Sequence, residues 1–155
     1  TPIPEEKQLE FCKKLLKKIG YDFKNGRLDL STHPFSTGNH PKDSRITTRI
    51  DPNYILGCLS TVLHEAGHSL YTMGLPEKEF GTPLGQAISM GIHESQSRFW
   101  ETRIGLSKPF VEYILPELQK DFPYYKGVTP DACYQAINIV EPSLIRVEAD
   151  EVTYP

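Results

Sequence analysis

The residues best equipped for chemistry are His64, Glu65 and His68, set as His-Glu-Ala-Gly-His inside a long apolar run. On a helix, residues four apart lie about 40° apart around the axis and about 6 Å along it, so His64 and His68 can close on one metal ion. Glu65 sits beside that pair, where its carboxylate can take a proton from a water on the metal. Zinc with three protein ligands and an open position for water is a standard arrangement for peptide hydrolysis. The chain has five histidines in 155 residues, and composition alone gives this pentapeptide about one time in a hundred.

The surrounding residues must build the helix that positions the motif. Asp51-Pro52 reads as an N-cap followed by a first-turn proline, and Gly74 as the stop. Between them Tyr54, Ile55, Cys58, Leu59, Val62, Leu63, Leu70 and Tyr71 recur at helical spacing. They predict a helix of roughly 20 residues that is apolar over much of its surface and therefore buried. Two buried histidines and a glutamate without partners are costly. A metal ion relieves that cost; hydrogen-bonded core histidines are the alternative.

A third ligand must come from elsewhere, and Glu94 in His93-Glu94-Ser95 is the foremost candidate. It falls on a second predicted helix, about Gln86 to Arg103, joined to the first through a loop from Leu75 to Gly85. If the two helices run antiparallel, Glu94 returns alongside His64 and His68 and completes a His2Glu set, one of the catalytic zinc arrangements. A surface ion pair with Arg98 at i+4 is the competing reading of Glu94. His93 is a rival ligand, but it points about 100° from Glu94 on a helix, so the two do not suit the same ion.

Five short motifs occur in one order: His33-Pro34-Phe35, Asp43-Ser44-Arg45-Ile46-Thr47, the His64 to His68 pentapeptide, His93-Glu94-Ser95, and Ile145-Arg146-Val147-Glu148-Ala149-Asp150. This series resembles the thermostable carboxypeptidases of the M32 metallopeptidase family, with their HPF, DxRxT, HExxH, HES and IRxxAD segments. The resemblance implies a mainly α, zincin-like fold of the HExxH gluzincin type. It implies a metal on His64, His68 and Glu94, with Glu65 as general base and acid, and release of single amino acids from peptide C-termini. It also implies a homodimer. Members of that family are longer, and their GxxQDxHW motif has no counterpart here. The chain therefore reads as the central metal-binding part of a carboxypeptidase, a truncated form. A non-catalytic metal-binding fragment or scaffold, lacking the helices that flank the substrate groove, is the alternative.

An exopeptidase must recognise a free carboxylate, and arginine offers a rigid bidentate fork for it. Arg146 is the preferred residue, with Arg45 and Arg49 behind it, and ion pairing with nearby acids is the competing reading. The resemblance places His33 near the active site. The expected cofactor is one divalent ion per chain, zinc first, with Co²⁺ or Mn²⁺ also suited to a mixed N/O site.

Composition narrows the remaining classes. A chain of 155 residues suits one domain, residues 1–155. A net charge of −3 and a pI near 5.9 argue against a nucleic-acid partner. No apolar run approaches a membrane span and no secretory signal precedes Thr1. Cys12, Cys58 and Cys133 are widely spaced with no CxxC, which fits a reducing cytoplasm. The peptide substrate is then the expected partner.

The rest of the chain is read coarsely. An amphipathic helix is predicted from about Pro4 to Ile19, and further helices at Pro109 to Asp121 and from Pro130, capped by Thr129 and interrupted at Pro142. Arg27 to Leu30 and Arg45 to Ile50 alternate like strands. They are expected to pair as a small antiparallel β ribbon joined by a loop from Ser31 to Ser44.

Overall fold

The computed structural model describes residues 2–140, a mainly helical fold with one small sheet. The apolar run forms α2 (Ile55–Met73), and the other elements pack around it. Before it come α1 (Glu5–Lys18), β1 (Gly26–Leu30), β2 (Ser36–His40) and β3 (Asp43–Thr48). After it come α3 (Met90–Arg98), a π-helical turn (Phe99–Ile104), α4 (Lys108–Asp121) and α5 (Pro130–Ile137). Residues 141–155, and with them Pro142, Arg146 and the whole Ile145 to Asp150 motif, lie outside the described residues. Among the described residues no helix is long and apolar enough to cross a membrane.

The first helix follows its amphipathic pattern. Phe11, Cys12, Leu15 and Leu16 are buried, Glu5 and Glu6 stand in the first turn and Lys17 and Lys18 in the last, matching the helix dipole. Gly20, at φ 97°, lets the chain leave in the left-handed region. The buried side chains of α1 meet Ile55, Cys58, Leu59 and Val62 of α2 in one apolar cluster that also takes in Leu28, Ile46, Ile114 and Leu118. Cys12 Sγ lies 3.4 Å from Cys58 Sγ in that cluster, and both are free thiols. A smaller cluster, Val111, Leu115 and Cys133, joins α4 to α5.

The sheet corrects one expectation. Residues 26–30 and 43–48 do pair, but in parallel, with Leu28 opposite Ile46. Within the expected loop lies a third strand, β2, which pairs antiparallel with β3 and places β3 in the centre. A strand that returns between β1 and β3 reverses the chain twice, so β3 runs in the same direction as β1. The two-residue turn Pro41-Lys42 joins β2 to β3. Thr47 of β3 fixes the segment before β2: its hydroxyl bonds Ser31 Oγ at 2.6 Å and the Phe35 amide at 3.0 Å, and its own amide bonds the Phe35 carbonyl at 2.8 Å.

Helix boundaries also shift. The α2 helix begins at Ile55, with Tyr54 rather than Asp51 at the cap. Asp51 instead closes a turn, its carboxylate accepting from the Asn53 amide at 2.8 Å and its carbonyl from the buried Gln8 side chain at 2.9 Å. The α3 helix begins at Met90 rather than Gln86, because Ser89 caps it through the Ile92 amide. Two short 3-10 turns, Glu77–Glu79 and Pro83–Gly85, occupy the connection. The α4 helix matches its predicted position, and α5 starts as predicted at Pro130 with Thr129 capping it through the Ala132 amide, but α5 ends at Ile137, before Pro142 is reached.

One glycine sets how closely the two site helices approach. A Cβ on Gly67 would stand 2.5 Å from Gln96 O and from Ser97 Cα, so α2 and α3 touch there backbone to backbone. Gly67 lies one residue before His68, and Gln96 two after Glu94.

Candidate metal centre

The close contact at Gly67 brings the three predicted ligands together. One ligand atom from each of His64, His68 and Glu94 lies within 4.8 Å of the others. Glu94 Oε2 is 3.0 Å from His68 Nε2, and Glu94 Oε1 is 3.5 Å from His64 Nε2. Two donors on a tetrahedral zinc at about 2.0–2.1 Å stand about 3.3 Å apart; the two carboxylate contacts come near this, each through a different Glu94 oxygen, while the single-atom trio is held within the wider 4.8 Å. The donor set is also chemically apt, two imidazoles and a buried carboxylate 8% exposed. The competing reading of Glu94, a surface ion pair with Arg98, is not the contact formed. Arg98 instead donates to Glu101 at 2.8 Å.

Both histidines are held from behind. His64 Nδ1 is 2.8 Å from Glu101 Oε2, and Glu101 also accepts from Ser60 Oγ at 3.3 Å. His68 Nδ1 is 2.7 Å from His93 Nδ1, whose Nε2 lies 3.4 Å from Thr72 Oγ1. Thr72 in turn donates to the His68 carbonyl at 3.2 Å. Hydrogen bonds at Nδ1 leave each Nε2 turned toward Glu94. Neither Glu101 nor the role of His93 behind His68 emerges from the sequence. Regular α-helical spacing does not reveal Glu101, because it falls in the π-helical turn after α3, where the register departs from 3.6 residues per turn.

The two imidazoles titrate in opposite directions. For His64, burial works against the charged ring but is outweighed by the hydrogen bond and charge of Glu101, with Glu65 and Glu94 adding, so its pKa is raised. For His68, burial and then the charges of His64 and His93 push the pKa down to about 4. Glu101 is held below the usual carboxylate range: burial opposes this, but the His64 and Arg98 contacts prevail.

Glu65 is 7% exposed, and burial raises its carboxyl pKa against the influence of His64 and a hydrogen bond from Ser36. Ser36 belongs to β2, the strand without a sequence signal, so the sheet reaches the motif directly. A cleft of about 480 Å³ opens over the group, lined by Pro34, Phe35 and Ser36 on one side and by His64, Glu65, His68 and Glu94 on the other.

The remaining predicted residues divide. Ser44 lines this cleft, whereas Arg45, one residue on and hence on the opposite face of β3, is exposed and paired with Asp43 at 2.8 Å. His33 and Arg49 line a neighbouring cleft of about 420 Å³ that shares Pro34 with the first. Arg146 is beyond the described residues.

Comparison with known proteins bears on what this centre belongs to. The sequence model of the Carboxypeptidase Taq (M32) metallopeptidases matches residues 1–155. The chain belongs to the M32 metallopeptidase family. Among M32 relatives, Thermostable carboxypeptidase 1 of Thermus thermophilus is 48% identical over 153 residues, covering 99% of this chain and 30% of that protein. Carboxypeptidase 1 of Bacillus subtilis is 44% identical over 153 residues, covering 98% of this chain and 30% of that protein. The crystal structure of an M32 carboxypeptidase from Deinococcus radiodurans superposes with a TM-score of 0.89 at 44% identity, covering 99% of this chain and 31% of that one. Metallocarboxypeptidase 1 of Trypanosoma cruzi does so with a TM-score of 0.88 at 40% identity, covering 99% and 31%. The chain thus spans about 30% of the curated M32 relatives it matches. M32 membership implies a divalent metal, and His64, His68 and Glu94 form a group that could bind one.

Proposed function

We propose that this chain carries the metal centre of a zinc-dependent carboxypeptidase that releases single amino acids from peptide C-termini. The observation that supports this most is the convergence of His64, His68 and Glu94 within 4.8 Å, with the buried carboxylate of Glu65 facing the same cleft. His64, His68 and Glu94 would hold a divalent ion, which would supply Lewis acidity toward a carbonyl and lower the pKa of a water to about 7. Zinc suits the set best; Co²⁺ and Mn²⁺ share its taste for mixed N/O donors.

The protein's own groups do the rest. Hydrogen bonds at Nδ1 from behind keep His64 and His68 oriented. Glu65 accepts a proton from the attacking water at its carboxylate and returns it to the departing amine. Pro34, Phe35 and Ser36 form one wall of the cleft. Arg146 is the candidate for the terminal carboxylate of the peptide. Arg49 and His33, in the adjoining cleft, are the alternatives, and the pairing of Arg45 with Asp43 makes it the weakest. A cytoplasmic setting goes with the three free buried thiols, and a peptide substrate and a homodimer complete the reading.

The test is metal content together with hydrolysis of an N-blocked dipeptide by this chain. The expected result is near one ion per chain, and a Glu65→Gln variant that keeps the ion but loses turnover by about 10²–10⁴-fold. Full activity in that variant would remove Glu65 as the base. A C-amidated dipeptide should resist cleavage; rapid hydrolysis of it would indicate an endopeptidase or aminopeptidase. The chain's span of about 30% of its relatives favours one further reading, a metal-binding part without turnover of its own. Stoichiometric metal with an inert wild type would be its signature.

A further inference from the structure

The rear contacts of the two histidines differ in kind. His64 is backed by an anion, and that anion is itself clasped: Glu101 accepts from His64 Nδ1 at 2.8 Å, from Arg98 Nη1 at 2.8 Å and from Ser60 Oγ at 3.3 Å. The clasp draws on two elements, since Ser60 stands one turn before His64 on α2 and Arg98 ends α3. His68 is backed by a second imidazole. With one proton on each ring, the donors run from His68 Nδ1 to His93 Nδ1, from His93 Nε2 to Thr72 Oγ1, and from the Thr72 hydroxyl to the His68 carbonyl. Every proton in that second set finds an acceptor without any carboxylate.

The backbone at Glu101 is unusual as well. Glu101 sits inside the π-helical turn Phe99–Ile104 that follows α3, and such turns are rare and concentrated at functional sites. The wider winding changes the angular register after Glu94, so two carboxylates from one continuous helical segment reach opposite nitrogens of the same ring, Glu94 at Nε2 and Glu101 at Nδ1.

We propose that Glu101 is the principal positioning residue of the centre. It acts through His64, fixing the ring with its proton on Nδ1 and strengthening Nε2 as a donor, while His93 orients His68 without adding charge. This rests on the reading of His64, His68 and Glu94 as the metal ligands. Loss of a partner behind a metal-bound histidine typically costs 10–100-fold in affinity. An anionic partner that polarises the ring contributes more than a neutral one, so the effect of Glu101 exceeds that of His93.

The experiment measures Zn²⁺ affinity of this chain by competition with a chromogenic chelator, for wild type, Glu101→Gln, Glu101→Asp and His93→Gln, each checked for folding by thermal melting. Glu101→Gln should bind Zn²⁺ about 10–100-fold more weakly, Glu101→Asp should recover part of the loss, and His93→Gln should lose less than Glu101→Gln. A second measurement needs no variant: in the zinc-loaded wild type, nitrogen-15 NMR should find His64 protonated at Nδ1. Equal affinity in wild type and Glu101→Gln, a larger loss for His93→Gln, or His64 unprotonated at Nδ1 would each overturn the inference and leave the ligand assignment standing. A wild type that binds no Zn²⁺ would remove the ligand assignment, and this inference with it.

Discussion

The two sides of α2 are built on opposite principles. Toward α1 the helix offers Ile55, Cys58, Leu59 and Val62 to Phe11, Cys12, Leu15 and Leu16, an apolar contact that is non-directional and tolerant of small shifts. Toward α3 and the π-helical turn it offers His64 and His68 to Glu94 and Glu101, where each contact has a direction and a length. Buried polar groups of this kind add little net stability. The comparison teaches a division of labour: the apolar side holds α2 in the fold, and the polar side uses the position so gained to aim the candidate ligands.

Four measurements would break or sharpen that division. The largest effect should come from Leu15→Ala on the apolar side. Leu15 is 1% exposed, and such truncations cost about 2–5 kcal/mol; denaturant unfolding should show that loss, while Zn²⁺ affinity of the folded protein stays near wild type. A parallel fall in affinity would mean that the two sides are not separable. Next comes Gly67→Ala, which drives a methyl into the Gln96 and Ser97 backbone. Overpacking of this kind costs about 1–3 kcal/mol, and here it should weaken metal binding as well, because it spreads the two ligand-bearing helices.

A smaller effect should appear in the pH dependence of metal uptake. His64 titrates above the ordinary histidine value and His68 at about 4, so near neutral pH the proton displaced on loading comes from His64. Affinity should climb by up to about tenfold per pH unit while His64 is protonated and level off above its pKa. Calorimetry in buffers of different ionisation enthalpy would count the proton, and a count near zero at pH 6 would contradict the assignment. The smallest effect belongs to the sheet. Burial raises the Tyr21 pKa to about 12, and its hydroxyl donates to Ser44 O at 2.7 Å. The folded state holds this proton more tightly than the unfolded one, so its contribution is complete below about pH 10 and fades as pH rises toward 12. Tyr21→Phe should cost about 1 kcal/mol at neutral pH and flatten the fall in melting temperature across that window.

How much of this was legible in the sequence depended on whether a residue's signal was local. Apolar periodicity together with cap and proline signals located α1, α2, α4 and the start of α5 to within a few residues. The starts of α2 and α3 moved because Asp51 and Ser89 each had a local competitor: Asp51 closed a turn instead of capping, and Ser89 capped where Gln86 had been expected to begin the helix. The strand β2, Ser-Thr-Gly-Asn-His, has neither alternation nor a β-branched run. It forms because β3 offers it an unpaired edge, which is a tertiary fact, and with it the parallel pairing of β1 and β3 was also hidden. The grouping of His64, His68 and Glu94 was readable because His64 and His68 share a helix and Glu94 follows on the next one. Glu101 was not, since its place depends on a π-helical turn that the sequence Phe-Trp-Glu-Thr-Arg-Ile does not announce.

The bonds around Thr47 have a consequence in time. Its hydroxyl and amide together hold Ser31 and both polar backbone groups of Phe35, so the segment from His33 to Phe35 is fastened to the central strand rather than hung between two ends. A loop pinned in this way does not open by its own fluctuation; it opens when β3 does. Hydrogen exchange at the Phe35 and Thr47 amides should therefore proceed at one common slow rate, and the wall of the candidate metal cleft keeps the clock of the sheet.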